Sequence, residues 1–216
     1  MTIKDTETLR EKLQNSCDLL IRRIGQIQIG STDLFPYGWR KAAKGRTVWR
    51  IVEEIITQNL EKYHNDFNLD SIHPSDSEVT VYDMKCVYGN LDAYINIKSA
   101  VVGGKRQKDD ISKADGLKAF YADDINKQFF VATFFIQFNA NMSIEITKAI
   151  VFPIAWIPDI YVNPSNNGNL QSAYYKDLGD AVKRTNNQFI PLLHDAIQIA
   201  ENKKRKSNLG KLYAPP

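Results

Sequence analysis

The sequence predicts an α/β domain with a mixed β-sheet core flanked by helices. Three observations predict it. Apolar residues recur at helical spacing near the N-terminus, again at 47–63, and once more towards the C-terminus. In between, the period changes to two, in a pair of runs joined by Gly89-Asn90, a strong two-residue hairpin signal. A second pair of apolar runs, 129–138 and 143–152, surrounds the turn Asn139-Ala140-Asn141.

Taken in order, residues 9–29 read as a helix, with Leu9, Leu13, Cys17, Leu20 and Ile24 on one stripe and Gly30-Ser31 as its stop. A loop at 33–44 holds Pro36, Gly38 and Trp39. The second helix runs from about Thr47 to Tyr63. Its stripe is Val48, Ile51, Val52, Ile55, Ile56, Leu60 and Tyr63, and Arg50, Glu53, Glu54, Thr57 and Glu61 lie off it. Residues 71–77 are rich in turn formers. Strands are expected at 79–88 and 91–101, then a charged loop at 103–116 and a helix at 118–126. The segment 156–162 extends the sheet or ends it, and 163–169 is a loop dense in Asn. A last helix is expected at 181–202, interrupted or started near Pro191, followed by a basic run at 203–206.

The chain has 216 residues, of which 43% are hydrophobic, 11% aromatic and 25% charged. That suits one domain of ordinary size and is too apolar for a disordered chain. A single unit over 1–216 is expected, with a helical segment at 1–45, a core at about 46–162, and a loop and C-terminal helix at 163–216. The formal net charge of +3 permits nucleic-acid binding without demanding it. Two cysteines make no disulfide framework, so a cytoplasmic protein is expected. The polar N-terminus does not read as a secretory signal, and the two longest apolar runs are too short or too interrupted to span a bilayer.

The hairpin gathers the chemistry. With Gly89 and Asn90 in the turn, Tyr88 faces Leu91 and Asp83 faces Asn96. Lys98 lies two residues beyond Asn96, on the same side. One face then carries Asp83, Lys85, Asp92, Tyr94, Asn96 and Lys98. The other carries Tyr82, Met84, Cys86, Tyr88, Ala93, Ile95 and Ile97. One reading is an ordinary antiparallel hairpin, dry on one side and wet on the other. The other is a hydrolytic site: an acid, a second ligand opposite it and a lysine two residues on suit a hard divalent ion and an attacking water.

Asp83, twelve residues, then Asn96-Ile97-Lys98 resembles the PD-(D/E)XK nuclease signature. The string from Asp83 to Ser99 is similar to the active-site hairpin of blunt-cutting type II restriction endonucleases of the EcoRV and HincII kind. The helix that begins at Thr47 stands where that family has its first core helix, and the resemblance covers about 47–152. It implies a restriction-endonuclease-like core and a homodimer that hydrolyses both strands of double-stranded DNA with Mg²⁺. Asp83 would bind metal, Asn96 would hold the second ligand position, and Lys98 would assist the water. A helix Glu often approaches the metal in this family, and Glu53 and Glu54 are the candidates.

Two departures stand out. Tyr82 replaces the Pro that often precedes the first acid, and Asn96 replaces the second acid. Three explanations of Asn96 are open: a substitution that traps uncleaved DNA, a natural departure compensated by another carboxylate, or a chance match. Asp92 shares the face but lies about 13 Å along the strand from Asn96. The rival functions are a non-catalytic binding module on the same fold and a DNA-repair or recombination nuclease.

Basic residues cluster at Arg40, Lys41, Lys44, Arg46 and Arg50, at Lys105, Arg106 and Lys108, and at 203–206. Lys105, Arg106 and Lys108 are expected on phosphates. The amides Asn163, Asn166, Asn167, Asn169 and Gln171 are expected at base edges, because planar amides match adenine in the major groove. Amide-rich turns also form for backbone reasons alone.

Overall fold

The structure, a computed structural model, describes residues 1–40, 45–75, 77, 80–165 and 168–212. Its elements in chain order are α1 (Ile3–Ile24), β1 (Gln26–Gln28), α2 (Gly45–Lys62), β2 (Ser71–Pro74), β3 (Met84–Tyr88) and β4 (Leu91–Val101). They continue with β5 (Asp109–Lys113), α3 (Ala114–Asp123), β6 (Gln128–Phe138), β7 (Ser143–Pro153), β8 (Tyr161–Val162), β9 (Asn169–Ser172) and α4 (Asn186–Leu212). Six strands form the main sheet in the order β1-β7-β6-β4-β3-β2. Every neighbouring pair is antiparallel except β4 with β6, which makes the sheet mixed. A smaller antiparallel sheet, β5-β9-β8, lies beside it.

Local chemistry sets the elements that matter for the site. Thr2 caps α1 in a capping box: its hydroxyl accepts from Asp5 N at 3.2 Å, and Asp5 accepts from Thr2 N at 2.8 Å. The helix begins at Ile3 and ends at Ile24, the last residue of its apolar stripe, short of the end expected at 29. Gly25 turns the chain with φ +61°, and residues 26–28 instead pair with β7. In α2 the stripe holds in part: Val48, Val52, Ile56 and Leu60 are at most 4% exposed, Ile55 and Tyr63 are half-buried, and Ile51 faces out at 47% exposed. Each such burial contributes about 1.5–3 kcal/mol. Together they fix the rotation of α2, which leaves Glu53 at the border of the sheet.

The β3–β4 register matches the hairpin expectation, from Tyr88 opposite Leu91 to Met84 opposite Ile95. The strand begins at Met84 rather than at 79. Without a ladder to enforce alternation, Tyr82 does not join Met84 and Cys86. Its ring packs edge-on to Tyr94, with centroids 5.0 Å apart, on the opposite side of the sheet.

That opposite side is covered, which corrects the expectation of a wet polar face. One core lies between the main sheet and α1 and α2, around Leu13, Ile56, Met84 and Ile95. A second gathers Leu117 and Tyr121 of α3, Val131, Trp156, Leu170 and Phe189 of α4. β4 is central and has a parallel neighbour, and such strands are buried on both faces. Asn96 is 8% exposed in consequence.

Three further segments differ from the sequence reading. The charged loop contains β5, whose partner β9 is about sixty residues away in the chain. The 156–162 segment leaves the main sheet and supplies β8 to the small one. The last helix starts at Asn186, so Pro191 lies inside it, and it runs through the basic residues at 203–206.

Candidate active site

β4 has a strand on both sides only as far as Ile95. From Asn96 onward β6 remains on one flank, and among the described residues no strand pairs with the other. Asp83 sits at this step. Its N–H donates to Ile95 O at 2.8 Å, and its Oδ2 accepts from Ile97 N at 2.5 Å. The carboxylate thus satisfies an edge N–H that has lost its strand partner. No group among the described residues hydrogen-bonds its other oxygen.

The segment before Asp83 is held by α3. A Cβ added at Gly116 would lie 2.5 Å from Val81 Cγ1, so only glycine lets the two approach so closely. Asn96 completes that clamp. Its Nδ2 donates to Ile111 O of β5 at 2.8 Å and lies 3.4 Å from Val81 O. The amide ties three segments together through contacts that only a donor can make.

Asp83, Asn96, Lys98 and Glu53 line one cavity of about 320 Å³ at the open flank of β4. An adjoining cavity of about 430 Å³ shares Glu53 and Lys98 and continues past Ile97 and Ser99. Among the described residues, the buried Oε2 of Glu53 has no hydrogen-bond partner, and Arg50 Nη1 lies 3.8 Å from it. Glu54 does not line either cavity; its carboxylate accepts from Gln58 at 2.6 Å. Asp92 is taken by Lys85 at 2.6 Å.

The electrostatics are those of charges held together out of water. Burial raises the Glu53 carboxyl above its ordinary range, and the nearby Asp83 charge raises it further. Burial also raises Asp83, against the opposing pull of the Ile97 N–H and of Lys98. Burial lowers Lys98, while Asp83, Glu53, Asp110 and Asp109 oppose that shift. Each group is less at ease charged than it would be in water.

Among the described residues, no group of three or more His, Cys, Asp or Glu is arranged to hold a metal ion. The donor set fits a hard, water-rich cation rather than a fully caged one. Mg²⁺ is commonly held by one or two carboxylates with waters completing its shell. Glu53 and Asp83 supply two carboxylates, each with an oxygen that lacks a hydrogen-bond partner.

No protein-family model matches the chain, and no curated protein matches it. Among solved structures it is similar to the NlaIV restriction endonuclease. The identity is 12% and the TM-score 0.44, with 96% of this chain and 89% of that chain covered.

The expected DNA contacts divide. Lys105 is exposed. Arg106 is engaged within the chain: it donates to Ala173 O at 2.9 Å, pairs with Asp180 and stacks on Tyr174. Lys108 lies 4.2 Å from the Tyr161 ring centroid and 4.0 Å from Asp159. Asn163 builds a turn, accepting from Ser165 N at 2.9 Å, and its amide donates to Gln171. Gln171 donates to Asp110 at 2.6 Å, and Asn169 lines the cavity. Asn166 and Asn167 lie outside the described residues.

Sequence reasoning passed over Asp110, Arg46 and Trp49 as parts of the cavity wall. Arg46, Arg50 and Glu53 are spaced by four and three residues on α2, which puts them on one polar face. That spacing was the available signal.

Proposed function

We propose that the chain is a divalent-metal-dependent endonuclease for double-stranded DNA, of the type II restriction kind, acting as a homodimer with Mg²⁺. One observation carries the reading. Glu53, Asp83 and Lys98, from a helix, a strand end and a neighbouring strand, meet in one cavity with their charged forms disfavoured by burial. Groups of opposite sign that meet in a cleft, with shifts caused by burial and by one another, mark a candidate functional site. The resemblance of the Asp83–Lys98 string to the hairpin of blunt-cutting enzymes supports the same reading.

Asp83 and Glu53 are the residues that would hold the cation. When bound, it supplies charge neutralisation on the phosphoryl oxygens and a more acidic water. Lys98 donates to the attacking water and offsets negative charge that develops on the phosphate. Burial lowers its proton affinity, while Asp83 and Glu53 oppose that shift. Asn96 is assigned to positioning, through Ile111 and Val81, and Glu53 supplies the carboxylate that position 96 lacks. A homodimer would match the twofold symmetry of a palindromic site, each subunit cutting one strand. Asn163 and Gln171 are held within the chain; Asn166, Asn167 and Asn169 are assigned to base edges and favour an A·T-containing site.

The test is digestion of plasmid and phage DNA with Mg²⁺. Discrete fragments, lost in Asp83→Ala, support the reading. Undegraded DNA across many substrates favours the non-catalytic binding module, and a smear favours a repair-type nuclease.

A further inference from the structure

A trough leaves the candidate active site along the open flank of β4. The cavity that holds Glu53 and Lys98 shares Arg46 and Ser99 with a larger one of about 670 Å³. The two cavities adjoin at these residues, and the character of the lining changes from one to the other. The near end holds Glu53 and Asp110. The far end holds Arg46, Lys105, Arg106, Lys148 and Lys176, against Asp109 and Asp177.

The cations at the far end are not equivalent. Lys176 is paired with Asp109, and Arg106 with Asp180. These two are structural, and they tie the β4–β5 loop and the start of β5 to the 173–180 segment. Arg46, Lys105 and Lys148 are exposed, and no carboxylate pairs with any of them among the described residues. Asp177 is turned to its own Gly179 N–H at 2.9 Å. Three cations without a carboxylate partner among the described residues therefore arrive from three places, the start of α2, the loop after β4, and β7, where Lys148 lies 4.5 Å from the Phe135 ring centroid.

We infer that Arg46, Lys105 and Lys148 form a phosphate track for the DNA strand on one side of the scissile bond. The inference rests on the nuclease reading of the Glu53–Asp83–Lys98 site. Acid at one end and cations without a carboxylate partner at the other give the lining a polarity: the cation and scissile phosphate at the near end, the flanking phosphates beyond.

Phosphate contacts act on every sequence alike, so the test needs no knowledge of the recognition site. Binding of a labelled mixed-sequence duplex is measured with Ca²⁺ in place of Mg²⁺ across a salt series. The proteins are wild type, Arg46→Ala, Lys105→Ala, Lys148→Ala and the triple variant. Lys203→Ala, on α4, is the comparison for a basic residue elsewhere. Each track variant is expected to lower the slope of log K against log salt by about 0.9, and the triple variant by about three times as much. Lys203→Ala is expected to leave the slope unchanged. All are surface changes, and circular dichroism checks folding. If the wild type cleaves DNA and Lys98→Ala does not, but the triple variant keeps the wild-type slope, the track is wrong and the nuclease reading stands. If the wild type neither binds nor cleaves duplex DNA, or prefers single-stranded RNA, both fall.

Discussion

Replacing Asn96 by Asp separates two accounts of this position. If Asn96 stands in for a missing metal ligand, the acid restores a charged partner for Asp83 and cleavage rises strongly. The geometry leads to the opposite expectation. The Nδ2 donor to Ile111 O at 2.8 Å becomes an oxygen, and it faces a second carbonyl, Val81 O, at 3.4 Å. A buried carbonyl left without its donor costs about 1–3 kcal/mol. In a chain of this size that lowers the melting temperature by roughly 2–12 °C. The new carboxylate also joins Asp83 and Glu53, whose charged forms are already disfavoured. When protonated it can donate to Ile111 O again, so its proton affinity rises on folding. Stability is then retained at acid pH and lost as pH rises through the raised value. The assay is thermal unfolding from pH 4 to 8 beside single-turnover cleavage in Mg²⁺. The expected result is a stability deficit that grows with pH and a rate no higher than wild type. A variant as stable as wild type that cleaves many times faster would refute the structural role of Asn96.

Other outcomes follow from the same geometry. Glu53→Gln should stabilise the apoprotein at neutral pH. Its carboxyl binds protons more tightly folded than unfolded, so its contribution is present below the ordinary carboxylate range and is lost as pH rises through the raised value. Unfolding midpoints with and without Mg²⁺ check this: the gain should vanish near pH 4, and Mg²⁺ should stabilise the wild type only. Lys98→Ala should abolish cleavage while duplex binding in Ca²⁺ stays within a few-fold; equal loss of both would make Lys98 a phosphate anchor. Alanine at Asn166 or Asn167 should relax sequence preference, whereas Asn163→Ala should cost stability by opening the Ser165 turn. Binding to cognate and single-mismatch duplexes, beside melting curves, distinguishes these. Gly116→Ala should destabilise by more than 1 kcal/mol, because its Cβ meets Val81; an unchanged melting temperature would mean that the 80–82 segment yields freely.

What was legible in the sequence was local. The Gly89-Asn90 turn sets the β3–β4 register, so period two alone places Lys98 and Asn96 on one side of β4. Glu53 was legible from its position beside a helical stripe, because burial of Val52 and Ile56 fixes how α2 rotates. What was not legible depends on partners far along the chain. β5 reads as a charged loop because its pairing is supplied by β9. Asp110 therefore reads as a surface acid rather than a wall of the cavity. The function of the Asn96 amide needs Ile111 and Val81, neither of them in the paired hairpin. Tyr82 was placed on the wrong face because alternation was extended past the last ladder pair at Met84. The paired states of Arg106 and Lys108 likewise rest on Asp180 and Asp159, which no local pattern connects to them.

The most direct test of the central claim is digestion of phage DNA with Mg²⁺ by wild type, Glu53→Ala, Asp83→Ala and Lys98→Ala, all checked for folding. The expected result is a discrete fragment pattern from the wild type, dependent on Mg²⁺, and intact DNA from each of the three variants. Intact DNA from the folded wild type, or fragments that persist in all three variants, would contradict the assignment of this cavity as a metal-dependent nuclease site.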